Sequence, residues 1–302
     1  MTLPQRAEVL ALPRRRGRAS AAIVALRPRQ WTKNLLLFAG IIFAAKLGDA
    51  WRWLDAVAVF VAYCAASSAA YLINDLRDAP HDRAHPVKRA RPIARGELSS
   101  RAAYALAGVL LAVAVALVAP LGLVSLAFLG AFVAVQLAYT LGLKHVVLID
   151  VMTIAALFVL RAAAGAAGVH VRISPWLLLC TALLALFLAL AKRRGELVLV
   201  GAEATPGRPV LEGYSLGLVD QLVAVVAAST VISYALYTFT ARDSKALMAT
   251  IPFVIFGVFR YLLLIHRQDL GEEPEEVLLR DLPILVCIAA WAICAAVILL
   301  LT

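Results

Sequence analysis

The chain has 302 residues, of which 63% are apolar and 16% charged, and its mean hydropathy is +0.88. Soluble domains run nearer half apolar and a quarter charged, so a disordered chain is excluded and a soluble enzyme is disfavoured. The net charge of +10 would suit nucleic acid in a soluble protein. In a membrane protein it follows from Lys and Arg collecting in cytoplasmic loops, so no nucleic-acid partner is expected.

Residues 1–20 carry Arg14, Arg15, Arg16 and Arg18. No apolar core and cleavage site follow, so the stretch reads as a disordered basic tail that touches anionic lipid. Residues 21–302 read as a single all-α domain. A spanning helix needs about 20 mostly apolar residues, and nine segments qualify, the first of them short. They are Trp31–Leu47, Leu54–Ile73, Ala102–Pro120, Leu121–Leu143, Val146–Val169, Pro175–Ala191, Leu218–Thr240, Ala246–Ile265 and Leu282–Leu301. Small residues recur within them, as in the run from Arg161 to Gly168, and let helices approach closely. With the amino terminus in the cytoplasm, 23 of the 29 Lys and Arg fall on that side and five on the other. This sets the orientation and puts the longer, charge-dense loops on the cytoplasmic face. Cys64, Cys180, Cys287 and Cys294 all lie in apolar runs and suggest neither disulfides nor zinc.

Four groups of residues could carry chemistry. Asn74, Asp75, Asp78 and Asp82 close the second span and share a helical face. Pro80 interrupts them and could throw Asp82 onto a following turn. Such hard oxygen ligands suit Mg²⁺ bridging to a phosphate; the other reading is a solvated acidic helix end neutralised by Arg77 and Arg83. Lys88, Arg89, Arg91 and Arg95 follow at once. They are either phosphate ligands or positive-inside charge. His81 and His85 resemble a zinc pair only superficially, with no third ligand nearby. Lys192, Arg193, Arg194 and Glu196 end the sixth span. They read as an anion pocket facing the aspartates, or as a simple Lys192–Glu196 pair. The fourth group is scattered: Arg27, Gln30, Trp31, Lys33 and Asn34 opening the first span, Tyr139 and Lys144 at the end of the fourth, Arg161 inside the fifth, and Arg260 and Tyr261 in the eighth, with Trp31 reading as an interfacial anchor. An intramembrane charge such as Arg161 is costly and usually faces a cavity. Asp150 lies three turns from Arg161, too far to pair with it.

The Asn-Asp-x-x-Asp-x-x-x-Asp pattern, followed by His85-Pro86-x-Lys88 and Arg91-Pro92-Ile93-x-x-Gly96, resembles the UbiA superfamily of intramembrane prenyltransferases. So do the Arg27–Asn34 opening, Tyr139 with Lys144, and Asp150, Arg161 and Gly165. The resemblance implies a nine-helix bundle in which Asp75, Asp78 and Asp82 are catalytic and hold Mg²⁺. Asn74, Lys33, Lys88, Arg89, Arg91, Tyr139, Lys144, Arg161, Lys192, Arg193, Glu196 and Arg260 would then bind substrate. The usual second Asp-x-x-x-Asp motif is absent. Lys192–Glu196 stands in its place, and with the acidic stretch 271–281 it resembles the branch that transfers phosphoribose to polyprenyl phosphate. That branch implies phosphoribosyl pyrophosphate and a polyprenyl phosphate lipid as partners, arabinan synthesis as the pathway, and the plasma membrane as the site. A homo-oligomer is compatible with the sequence. The alternatives are prenyl transfer to an aromatic or haem acceptor, which the basic second motif disfavours, and transport. A transporter would place its charges near the midplane, whereas these cluster at one face.

Overall fold

The structure is a computed structural model that describes residues 15–43, 48–84, 88–200, 209–240, 244–267 and 280–301. Among them there are helices and no strands. Ten α-helices follow in order: α1 Arg18–Ala25, α2 Ala39–Phe43, α3 Ala50–Ala84, α4 Ser100–Val118, α5 Leu123–Leu141, α6 Ile149–Gly168, α7 Pro175–Val200, α8 Leu216–Thr240, α9 Ile251–Arg267 and α10 Leu282–Leu301. Eight of them, α3 to α10, are long and apolar enough to cross a membrane.

The ninth expected span takes a different form. Pro28–Phe38 is an eleven-residue 3₁₀ helix that leads directly into α2. Runs beyond three or four residues are uncommon for this helix type. At about 2.0 Å per residue, then about 1.5 Å through α2, the sixteen residues reach roughly 30 Å, where an α-helix would reach about 24 Å. The short segment therefore matches the apolar thickness of a bilayer. What holds it is α6. A Cβ on Gly165 would stand 2.0 Å from the Leu37 carbonyl oxygen, and one on Gly40 would stand 2.7 Å from Ala166 Cα. The small residues of both segments let the backbones touch.

Helices α3 and α6 are the innermost spans, 67% and 61% buried, against 22–33% for the others. The run Cys64–Ala70 gives α3 small residues on every face, and Tyr63 packs on Phe132 of α5 with ring centroids 4.9 Å apart. One apolar cluster joins α3, α4, α5 and α6; a second joins α6 to α7, α8, α9 and α10. Helix α6 belongs to both and is the hinge of the bundle. At 35 residues, α3 is about 52 Å long, well beyond the apolar layer. Its last turns, with all three aspartates, project past that layer.

Two expectations change here. Helix α3 runs unbroken through Pro80 to Ala84, so Asp82 stays on the helix and two turns from Asp75. Of the tail taken as disordered, residues 15–20 are described: Arg16 is hydrogen-bonded and Arg18 opens α1. Residues 1–14, His85, Pro86 and the stretch 271–279 lie outside the described residues.

Candidate active site

The site forms where the projecting end of α3 meets three separate segments. Asp75, Asp82 and Asp78 have side chains 3%, 5% and 28% exposed, so two are buried and one is open. Each is met by a cation from another element. Lys144, on the 3₁₀ turn after α5, donates to both Asp78 oxygens at 2.9 and 3.1 Å and lies 3.5 Å from Asn74 Oδ1. Asn74 in turn donates to Asp78 at 3.0 Å. Arg77 donates to the Leu141 carbonyl at 3.2 Å, which ties the two helix ends together and brings Lys144 within reach.

Arg91 reaches in from the loop after α3. Its Nη1 lies 3.1 Å from Asp75 Oδ1 and 2.7 Å from Asp82 Oδ2, so a single nitrogen bridges two carboxylates. The loop is a tight turn. The amides of Arg95, Gly96 and Glu97 donate back to Arg91, Ile93 and Pro92, and Gly96 takes the left-handed conformation that closes it. Glu97 anchors the turn, accepting from the Arg16 amide and guanidinium and pairing with Arg95.

Arg27 is the third cation, and it donates to Asp75 Oδ1. Its backbone is left-handed, at φ 54°, an uncommon state for a residue with a Cβ. The turn is pinned by a relay in which Trp31 Nε1 donates to Ser68 Oγ at 3.0 Å and Ser68 donates to the Leu26 carbonyl at 2.9 Å. Trp31, expected as an interfacial anchor, is thus part of the device that aims Arg27. Tyr71 stacks beneath the guanidinium at 4.8 Å. Burial works against the charge of Arg27, but Asp75 outweighs it and lifts the pKa above the usual arginine value.

The second charged cluster is a separate buried network. Arg193, fully buried, donates to Asp150 Oδ2 at 2.6 Å and to Glu196. It meets these two carboxylates, not the aspartates of α3, because Asp150 at the start of α6 packs beside the end of α7. Tyr214 donates to Asp150 Oδ1 at 2.7 Å and accepts from the Leu148 amide at 2.8 Å. Burial and then the Asp150 carboxylate push its phenol up to about 12. Arg194 donates to Asp220 and to the Ile265 carbonyl. Lys192 is the half-buried member of the trio.

The remaining candidates scatter. Arg161 is buried, donates to Asn34 Oδ1 at 2.8 Å and to the Leu157 carbonyl, and stacks on Phe132 and Phe158. Asn34 completes the link by donating to Cys64 Sγ. Arg260 pairs with Asp281 at 2.9 Å beside an apolar groove lined by Phe256, Phe259 and Leu263. The hydrogen bond from Arg260 holds Asp281 below the usual carboxylate range. Tyr139 is half-buried and within electrostatic reach of Arg193. Lys33, Lys88 and Arg89 are half-buried on 3₁₀ turns.

Asp75 and Asp82 converge on one guanidinium nitrogen, so their hard oxygens face a common point. Among the described residues there is no ready-made cage of three or more His, Cys, Asp or Glu. The pair of converging carboxylates fits Mg²⁺, which typically takes one or two carboxylates and completes its shell with waters and phosphate oxygens. The surrounding Arg and Lys could take the phosphate oxygens that a metal leaves.

The model of the UbiA prenyltransferase family matches residues 35–280. The decaprenyl-phosphate phosphoribosyltransferase of Mycolicibacterium smegmatis is 38% identical over 289 residues, covering 90% of both chains. That of Corynebacterium glutamicum is 35% identical, covering 91% of this chain and 86% of its own. That of Mycobacterium tuberculosis is 34% identical, covering 90% and 92%. Among solved structures, a UbiA homologue from Archaeoglobus fulgidus bound to DMAPP and Mg²⁺ superposes with a TM-score of 0.72. It is 19% identical, over 93% of this chain and all of the other. The Arg27–Asn34 segment precedes the residues that the family model matches.

Proposed function

The chain belongs to the UbiA prenyltransferase family, and from that premise we propose that it transfers 5-phosphoribose from phosphoribosyl pyrophosphate to a polyprenyl phosphate. The lipid acceptor is decaprenyl phosphate or a close relative, and the products are polyprenylphosphoryl-5-phosphoribose and pyrophosphate. The product would serve cell-wall arabinan synthesis. The observation that carries the reading is the meeting of three carboxylates with Arg27, Arg91 and Lys144 at one end of the bundle. A polyanion with a divalent cation needs both signs of charge at close quarters. Relatives at 34–38% identity over nine-tenths of the chain support the substrate pair.

Asp75, Asp78 and Asp82 would hold Mg²⁺, and when bound the ion withdraws charge from the leaving pyrophosphate. Arg91, Lys144 and the half-buried Lys88 and Arg89 bind the phosphate oxygens and stabilise the negative charge that builds as the bond to the ribose carbon breaks. The pyrophosphate leaves with the bonding electron pair. A lipid phosphate oxygen supplies a new pair to the same carbon. A phosphate monoester is already mostly ionised near neutral pH, with a second pKa of about 6, so no side chain need take its proton. The buried Asp150–Arg193–Glu196 network positions α6 against α7. The 23-to-5 distribution of basic residues supports a plasma-membrane protein with this end in the cytoplasm.

The test is incubation of the purified chain with phosphoribosyl pyrophosphate, Mg²⁺ and polyprenyl phosphate. A phosphoribosylated lipid and released pyrophosphate are expected. No product from this pair, with turnover of 4-hydroxybenzoate and a prenyl diphosphate, would overturn the reading.

A further inference from the structure

We propose that Arg91 and Arg27 compete with the divalent cation for Asp75 and Asp82, so that phosphate and metal enter the site with linked affinities. The inference rests on the reading above and adds a regulation of the same site. Its basis is geometric. Arg91 Nη1 sits between Asp75 Oδ1 and Asp82 Oδ2 at 3.1 and 2.7 Å, and Arg27 donates to the same Asp75 oxygen. Two guanidinium groups therefore crowd one oxygen. A cation that takes the two carboxylates must take lone pairs that these arginines use.

The two arginines are built differently from the carboxylates they hold. Asp75 and Asp82 are buried on the rigid end of a central helix, whereas Arg27 and Arg91 are each about a quarter exposed and come from turns outside the helical bundle. Arg91 rides on the turn that Gly96 closes and Glu97 anchors. Thus the carboxylates are fixed and the guanidinium groups are the parts with room to leave. Once displaced, each offers a fork of donors a few ångströms from the oxygens it left, where a phosphate oxygen can receive it. Metal alone must break charge-assisted bonds to enter. Metal with a phosphorylated substrate gives the freed arginines a new acceptor. Binding is then positively coupled, and the coupling passes through Arg91.

The experiment uses the full chain purified in detergent and Mn²⁺ as the probe, with free ion read by electron paramagnetic resonance. No lipid acceptor or turnover is needed. Without phosphoribosyl pyrophosphate, Arg91→Gln is expected to bind Mn²⁺ roughly tenfold more tightly than wild type, the worth of one charge-assisted hydrogen bond. Arg29→Gln removes an exposed cation two residues from Arg27 and is the control for simple charge, with a change of about twofold. With phosphoribosyl pyrophosphate present, wild type is expected to gain Mn²⁺ affinity, and Arg91→Gln to gain markedly less and to show a raised KM for this substrate. If Arg91→Gln does not fold, Arg27→Gln carries the same test, because it relieves the same Asp75 oxygen. Mn²⁺ affinity equal to or weaker than wild type in the folded variant would overturn the inference. So would an equal tightening in Arg29→Gln. A wild type that makes product beside such a result sinks only this inference, whereas a wild type that makes none sinks the proposed reaction.

Discussion

Gly165→Ala is the sharpest probe of how the first segment is held. The added Cβ would lie 2.0 Å from the Leu37 carbonyl oxygen, 2.7 Å from its carbon and 2.8 Å from its Cα. All three are backbone atoms of a helix and cannot rotate away. Ordinary contact begins near 3.4 Å, so the Pro28–Phe38 helix must retreat by about 1.4 Å. A retreat of that size would stretch the 2.8 Å bond between Asn34 and Arg161 past hydrogen-bonding range. Overpacking of this kind costs about 1–3 kcal/mol, and a buried donor left without its acceptor costs about 1–3 kcal/mol more. Together they give about 2–6 kcal/mol. The same retreat moves the turn that aims Arg27 at Asp75, so activity should fall along with stability. Thermal unfolding in detergent, together with the phosphoribosyl transfer assay, measures both. Gly108→Ala, in open space on α4, is the control and should lower neither, its midpoint unchanged or slightly raised by the better helix former. A Gly165→Ala protein with the wild-type midpoint and rate would refute the packing argument.

Asp78→Asn should abolish turnover while size-exclusion and thermal profiles stay near wild type, since Asp78 is the most open of the three carboxylates; near-normal turnover would refute its metal role. Lys144→Met should raise KM for phosphoribosyl pyrophosphate by about tenfold, the loss of one charged phosphate contact, read from initial rates. Asp150→Asn leaves the buried Arg193 charge with one partner fewer and should destabilise by about 3–5 kcal/mol, measured as a lowered unfolding midpoint. Tyr214, with its folded pKa raised to about 12, contributes stability that is complete below its unfolded pKa of about 10 and is lost as pH rises through 12. Tyr214→Phe should therefore flatten the alkaline fall in midpoint across that window.

The aspartate cluster was legible because its spacing is local. Two helical turns separate Asp75 from Asp82, and a helix carries that relation without help from elsewhere. Lys144 could be named from sequence for its place at the end of a span, although what brings it to Asp78 is the bond between Arg77 and Leu141. Arg193 was misplaced because its partner Asp150 lies 43 residues away on another helix, and spacing along α7 says nothing of that. Arg27 stands in the opening of the first span but is not among the expected substrate ligands for a similar reason: its direction is set by a left-handed backbone and by Ser68, neither visible as a pattern. Pro80 misled in the other direction. A proline removes one backbone bond, and near the end of a 35-residue helix the surrounding turns tolerate the loss. The first span was called short on hydropathy, and the tighter helix that compensates for its length has no signature in composition.

The close fit of Pro28–Phe43 against α6 also bears on how the protein is made. The segment carries Arg29, Lys33 and Asn34, and a charged residue at the centre of a membrane helix costs about 2.5–3.5 kcal/mol to insert. Its polar anchor, Asn34, finds Arg161 only 127 residues later in the chain. Translation at about 5–20 residues per second makes that interval roughly 6–25 s. Over that time α3 can offer Ser68 to Trp31 and Cys64 to Asn34, but the Asn34 oxygen still lacks the guanidinium of Arg161, while α3, α4 and α5 can enter on their own hydropathy. This segment is therefore fully seated only after three later spans, when α6 brings Arg161 to Asn34 and Gly165 to Leu37.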